Sequence, residues 1–180
     1  MLRGIIGTLA VLAGFGVLER SVDASTGYAG SCTATQAYTM LQPGEALPVL
    51  LEPSPQAAVL GTLSDRGRNT GRTVVTITGS QNGWARVALN TAADFSPNGK
   101  APQAFGWVPA DLLTVDARVD GPITVYDKPG LLGGKIGTID NEDAKFRVLG
   151  CRGTWLQVVN ANHGNVWIDK WCSREEGCRL

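Results

Sequence analysis

Apolar and polar residues alternate over many short segments, and the alternation is clearest at positions 73–79 and 84–89. A period of two rich in β-branched residues predicts strands that are buried on one face. Gln81-Asn82-Gly83 lies between these two segments, and Asn-Gly accepts the positive φ that a hairpin turn requires. The sequence therefore predicts an all-β fold. Further strands are predicted at 37–41, 47–51, 58–63, 105–108, 123–126, 135–139, 144–149, 155–160 and 165–168, with a 3₁₀ turn at 109–113 and a loop at 90–103.

The pattern of the segment that begins at Leu47 occurs again from Ile123. Aligned without a gap, Val49 matches Val125, and Gly61-Thr62 matches Gly137-Thr138. After a small deletion in the second copy, the alignment continues through these pairs: Gly79 with Gly150, Trp84 with Trp155, and Val87 with Val158. Self-similarity on this scale predicts a duplicated structural unit.

The duplication divides the chain into a leader at 25–46, a first repeat at 47–113, a second repeat at 120–171 and a tail at 172–180. The link at 114–119 contains no proline or serine spacer, so we expect the repeats to pack closely. Each repeat is near the size at which a lone hydrophobic core is only marginally stabilising.

The first 24 residues have the features of an export signal. Arg3 precedes an apolar run from Gly4 to Leu18, and small residues follow at Val22-Asp23-Ala24. We expect a signal helix that is cleaved after Ala24, with Ala29 as the alternative cleavage site, and hence a periplasmic or extracellular protein. An uncleaved anchor, which would add contact with a membrane, and a buried helix are the alternatives.

Export predicts oxidised cysteines, and the chain has four: Cys32, Cys151, Cys172 and Cys178. Two disulfides can connect them in three ways. We favour Cys172–Cys178 as a local staple of the tail, which leaves Cys32–Cys151 to join the leader to the second repeat. The cysteines lack C-x-x-C spacing, so the sequence gives little support to a metal site, and no cofactor is expected.

The charges and motifs argue against nucleic-acid binding and catalysis. Sixteen basic residues balance 16 acidic ones, whereas phosphate binding requires a clustered basic surface. The chain has no phosphate-binding loop, dinucleotide fingerprint or H-E-x-x-H motif. His163, the single histidine, stands in a predicted turn without an evident carboxylate partner, so we expect no enzyme. An activity that depends on His163 is the remaining enzymatic alternative.

Both copies place a proline-containing turn after the first strand, a φ-G-T-φ strand and a φ-x-G-x4-W-x-x-V hairpin. The first copy closes with Gly106-Trp107-Val108. This order resembles the bacterial SH3-like (SH3b) domain, a small five-stranded barrel often found in tandem on exported envelope proteins. The resemblance covers about 47–113 and 123–171, and it implies two tandem SH3-like barrels. Val166, which replaces the glycine of the closing motif, and the 90–103 insertion depart from the family pattern.

The resemblance also implies where a ligand binds, because grooves in this family often lie beside the loop after the first strand and beside exposed aromatic residues. By position these are Tyr126, Asp127 and Lys128, with Trp171 near the barrel end. A basic loop with Arg66, Arg68 and Arg72 is either solvated or contacts a carboxylate or phosphate. The four repeat tryptophans are expected in the core: Trp84, Trp107, Trp155 and Trp167.

These expectations combine into one function and one alternative. The first is an exported, non-enzymatic module that binds peptidoglycan or another component of the cell envelope. The alternative is an accessory subunit of an envelope or membrane complex, which contacts its protein partner through the 90–103 insertion or through free strand edges.

Overall fold

The computed structural model describes residues 30–65, 72–99, 104–140 and 145–172. The predicted signal segment 1–24 and most of the tail lie outside these residues. The described chain is all-β, as predicted, and contains no α-helix. None of its described helices is long and apolar enough to cross a membrane. The strands are β1 Gly30–Thr39, β2 Leu47–Leu50, β3 Val59–Leu63, β4 Val74–Gln81, β5 Trp84–Ala88, β6 Phe95–Pro97, β7 Phe105–Pro109, β8 Leu113–Asp116, β9 Ile123–Tyr126, β10 Lys135–Ile139, β11 Lys145–Arg152, β12 Trp155–Asn160 and β13 Gly164–Ile168, with a 3₁₀ helix at Ala110–Leu112 between β7 and β8.

All 13 strands form one sheet, in the order β10-β9-β13-β12-β11-β8-β1-β4-β5-β7-β2-β3-β6. Read outward from its centre, the sheet repeats itself, because β8-β11-β12-β13-β9-β10 has the same connectivity as β1-β4-β5-β7-β2-β3. The two halves meet where β1 pairs antiparallel with β8, at Tyr38↔Thr114 and Thr39↔Leu113. The structure therefore joins the two predicted repeats in one continuous sheet.

The strand registers support the alignment of the two repeats. The β4–β5 hairpin shifts register between Ile77 and Gly79, and β11–β12 shifts at the aligned positions Val148 and Gly150. The β2–β3 pair and the β9–β10 pair also share the position of their irregularity, after Val49 and before Gly137. Such bulges bend a strand locally and are specific features rather than defects. Both copies therefore follow the same backbone path.

Three strands differ from the sequence prediction. β1 is ten residues long, whereas the sequence predicts a short strand at 37–41. β8 occupies part of the predicted link, and β6 occupies part of the predicted loop at 90–103. The physical reason is that these segments form strands because of their neighbours in the sheet, and their own sequences carry no clear strand pattern. β1 is small and polar, β8 is buried at all four residues, and β6 has three residues ending in Pro97.

Covalent and polar contacts connect the two halves at the centre of the sheet. The predicted Cys32–Cys151 disulfide is present, with Cα atoms 5.7 Å apart. Beside it, Ser80 Oγ donates to the carbonyl oxygen of Cys151 at 3.2 Å and accepts from the Cys151 N–H at 2.9 Å. Cys172 is buried and disulfide-bonded, whereas Cys178 lies outside the described residues, so the Cys172–Cys178 pairing stays a prediction.

One hydrophobic core runs through both halves and includes Val49, Val87, Val125 and Val158. The four tryptophans expected in this core differ in burial. Trp167 is 4% exposed, whereas Trp84, Trp107 and Trp155 are partly exposed. The partly exposed rings are available for contacts at the surface.

Candidate functional site

A cleft of about 750 Å³ opens in the second repeat, on the side where the β9–β10 loop lies over the β11–β12 hairpin. One wall is the loop, and the other consists of side chains from β11, β12 and β13. The lining residues are Asp127, Lys128, Pro129, Gly130, Leu131, Leu132, Arg152, Trp155, Gln157 and Trp167.

Asp127 fixes the shape of the loop wall. Its N–H donates to the carbonyl oxygen of Gly134 at 3.1 Å, and its Oδ1 accepts from the Gly134 N–H at 2.6 Å. Within the loop, the Gly133 N–H donates to the carbonyl oxygen of Gly130 at 3.0 Å. A side chain at position 133 would overlap the carbonyl oxygen of Lys128, so this tight path requires glycine there. Asp127 therefore orders the loop that borders the cleft.

The aromatic wall is built by strand register. Arg152 lies opposite Trp155, and Gln157 lies opposite Trp167, so their side chains come from neighbouring positions of the sheet. Tyr126 supports this wall from β9, because its ring meets the Trp155 ring edge-on, with centroids 5.0 Å apart and planes at 85°. Edge-to-face pairs of this kind fix ring orientation and contribute about 0.5–1.5 kcal/mol beyond their buried area.

The cleft combines aromatic faces with charged and amide groups. Lys128 and Arg152 are exposed at its rim, and Gln157 is partly buried within it. Leu131 and Leu132 are 103% and 95% exposed at the end of the loop. An aromatic surface with a few convergent polar groups is typical of a ligand-binding site.

The structure brings together some of the residues predicted for binding and separates others. Asp127 and Lys128 line the cleft, and Tyr126 contacts its wall. Trp171 lies apart from them, in a separate concavity of about 480 Å³ between Lys170 and residues 34–36 of β1. Arg72 is partly buried, and its charge acts on Tyr38 of β1. Arg66 and Arg68 lie outside the described residues.

Sequence reasoning assigned no role to several residues that line the cleft, among them Leu131, Leu132, Arg152 and Gln157. The leucine pair gave a signal, because two apolar residues between Gly130 and Gly133 have no neighbouring strand to bury them. Arg152 and Gln157 gave none, since their positions follow from the bulge in β11 and the register of β12.

His163 lies outside the cleft. Its imidazole packs against Gly137 of β10, where an added Cβ would come within 2.8 Å of Cε1. Among the described residues, no group of three or more histidine, cysteine, aspartate or glutamate side chains is placed to hold a metal ion.

No family model matches this chain, and no curated protein matches it. Two solved structures are similar to it, both from Trichomonas vaginalis. NlpC2 is 16% identical, with 79% of this chain and 49% of that chain covered and a TM-score of 0.31. NlpC1 is 20% identical, with 88% and 51% covered and a TM-score of 0.29. The chain spans about half the length of each.

Proposed function

We propose that this protein is an exported, non-enzymatic binding module that recognises peptidoglycan or another component of the cell envelope through the cleft of the second repeat. The observation that carries the proposal is the joining of aromatic and charged side chains around one opening. The face of Trp155 suits a sugar ring, and Lys128 and Arg152 suit the carboxylates of a stem peptide.

The proposal extends to the architecture and the location. Each half of the sheet is one SH3-like barrel, and the two barrels stand in tandem. The strand order that the halves share supports this assignment. Residues 1–24 are its export signal, and the Cys32–Cys151 disulfide is compatible with an oxidising compartment.

Retention of the purified protein on peptidoglycan sacculi tests the proposal. Trp155→Ala removes the aromatic face and the support from Tyr126, and we expect it to weaken binding by about tenfold or more. Trp84→Ala is the matched control, because Trp84 is the aligned and partly exposed tryptophan of the first repeat. Trp171→Ala tests the concavity beside β1, and we expect this variant to be retained like the wild type if the cleft is the binding site.

Retention that falls equally in the Trp155 and Trp84 variants would place the binding elsewhere. A wild-type protein that is not retained at all would contradict the proposed function.

A protein partner in an envelope complex is the second candidate, and the exposed leucine pair favours it. Monomers rarely expose adjacent large apolar side chains without a binding role, and Leu131 and Leu132 are almost fully exposed. Replacement of both by serine should then abolish co-purification from membranes, whereas Trp84→Ala in the first repeat should leave it intact. A lone monomer in every detergent extract would contradict this candidate.

A further inference from the structure

The two ends of the sheet differ in how their edge is covered. In the first repeat, β3 pairs with β2 on one side and with β6 on the other. Its counterpart β10 pairs with β9 and, among the described strands, with no other. The covering strand β6 comes from the insertion that the second repeat lacks.

The register of β6 shows what an added strand does on this edge. Leu63 opposes Phe95, Thr62 opposes Ser96 and Gly61 opposes Pro97. The Asn98 N–H donates to the carbonyl oxygen of Leu60 at 2.7 Å, and the Ser64 N–H donates to the carbonyl oxygen of Asp94 at 3.3 Å.

These bonds show that Leu60, Thr62 and Ser64 present their backbone groups to the added strand. Because β3 and β10 share their register, the corresponding groups of the second repeat belong to Ile136, Thr138 and Asp140. β10 has five residues, has no proline and exposes 47% of Ile136. It therefore lacks the short length and terminal proline by which β6 limits further pairing.

An aromatic ring covers the aligned glycine in both repeats, but the two rings have different origins. A Cβ at Gly61 would lie 2.7 Å from the Phe95 ring, which the added strand itself supplies. A Cβ at Gly137 would lie 2.8 Å from the imidazole of His163, which the turn between β12 and β13 supplies. The second repeat therefore already has its ring and lacks only the strand.

We propose that β10 binds an extended peptide segment of a protein partner as an added antiparallel strand, with a small side chain opposite Ile139. Backbone hydrogen bonds provide the affinity in this mode, and the side-chain pockets provide the selectivity. His163 occupies the space that Phe95 uses in the first repeat, so the bound segment must be small at that position. This site is separate from the cleft and does not depend on the cleft's ligand.

The probe is the sequence of residues 93–99 of this chain, Ala-Asp-Phe-Ser-Pro-Asn-Gly, as a labelled peptide. A second peptide carries alanine in place of its phenylalanine. The full mature chain should bind the alanine peptide about tenfold more tightly, because the phenylalanine ring overlaps His163. His163→Ala should reverse the preference by about tenfold, since it opens the space over Gly137.

Asn162→Ala is the matched control in the same exposed turn and should leave the preference unchanged. A preference that does not reverse in His163→Ala, or binding of a scrambled peptide with equal affinity, would overturn the proposal.

Hydrogen exchange identifies the edge independently of any variant. Saturating alanine peptide should slow exchange of the Thr138 amide about tenfold or more, and Thr138→Pro should abolish peptide binding because it removes that donor. If Thr138→Pro fails to fold, the exchange of the wild-type amide decides. Protection of the Thr138 amide without peptide overturns the proposal, since it shows that the edge is already covered. Protection that rises with protein concentration would mean that a second copy covers it, and protection independent of concentration would mean that the chain itself does.

Discussion

The β2–β3 loop and the β9–β10 loop have the same length and the same place in the fold, but they carry different surfaces. The first presents Glu52, Pro55 and Gln56, whereas the second presents Lys128, Leu131 and Leu132 at the aligned positions. The strand residue before each loop differs as well, because Leu50 is buried and Tyr126 is partly exposed against Trp155.

The difference shows that the duplicated backbone is maintained while the side chains around it diverge. Glycines and bulges at aligned positions preserve the strand path in both copies, so the loops are free to vary. The second repeat uses this freedom to border a cleft, and the first repeat uses its insertion to cover a sheet edge. Predictions that alter one copy and spare the other test this division.

Removal of the Cys32–Cys151 bridge should have the largest effect, because it joins the start of one half to the other. The two cysteines are 119 positions apart, and a loop of that length corresponds to about 4–5 kcal/mol in the chain-entropy model. We expect the Cys32→Ser/Cys151→Ser protein to lose about 4 kcal/mol in free energy of unfolding, measured with urea. Loss of less than about 1 kcal/mol would show that the halves hold together without the bridge.

Gly106→Val should be the next most damaging change, at about 3 kcal/mol. A Cβ at this position overlaps Cγ1 of Val49 and lies 3.3 Å from Cδ1 of Leu60, so the first repeat has no room for a side chain there. Urea unfolding measures the loss, and Val49→Ala in the same chain should recover part of it. An unchanged free energy of unfolding in Gly106→Val would show that β7 and β13 have equivalent surroundings.

Val166→Ala makes the reciprocal change in the second repeat and should cost about 2 kcal/mol. Val166 is fully buried at the position aligned with Gly106, whereas Ile136, aligned with Leu60, is 47% exposed. Because no other side chain stands in for Val166, its truncation leaves a cavity. An unfolding free energy equal to that of the wild type would mean that Ile136 moves inward and fills the space.

The fold was predictable from the sequence wherever a segment carries its own pattern. Alternation at 73–79 and Asn82-Gly83 located the β4–β5 hairpin, where Asn82 and Gly83 adopt φ values of 49° and 79°. β8 was not predictable, since all four residues of Leu113–Asp116 are buried between the neighbouring strands β1 and β11 of the sheet, and Asp116 resembles a link residue. β1 depends in the same way on its partners.

The same distinction between local pattern and distant contacts separates the residues of the candidate site that were predictable from those that were not. Tyr126, Asp127 and Lys128 were predictable because their position after the first strand fixes their neighbours. Trp171, predicted near the barrel end, lies apart from them, since the bridge between Asp116 and Cys172 holds it at the centre of the sheet. That bridge joins residues distant in sequence, and the pattern of the tail does not encode it.

Near the centre of the sheet, two polar residues occupy equivalent positions in the two halves but have different surroundings. Tyr38 opposes Val74, the first residue of β4, and Asp116 opposes Lys145, the first residue of β11. Asp116 is fully buried and accepts from Arg118 Nε at 2.9 Å and from Arg118 Nη2 at 2.7 Å. The buried hydroxyl of Tyr38 has no hydrogen-bond partner among the described residues.

Tyr38→Phe should therefore stabilise the protein by about 1 kcal/mol, because it removes a buried hydroxyl that has lost its hydrogen bonds to water. Burial, followed by the charge of Asp116, raises the pKa of Tyr38, although Arg72 and Arg118 oppose the shift. The unfolded chain then ionises first, so the free energy of unfolding contributed by Tyr38 is constant at neutral pH and falls above about pH 10. Urea unfolding at pH 7 and pH 10.5 should show that the loss of stability at the higher pH is smaller in Tyr38→Phe than in the wild type. A Tyr38→Phe protein less stable than the wild type at pH 7 would mean that the hydroxyl has a partner in solution, and the contrast with Asp116 would disappear.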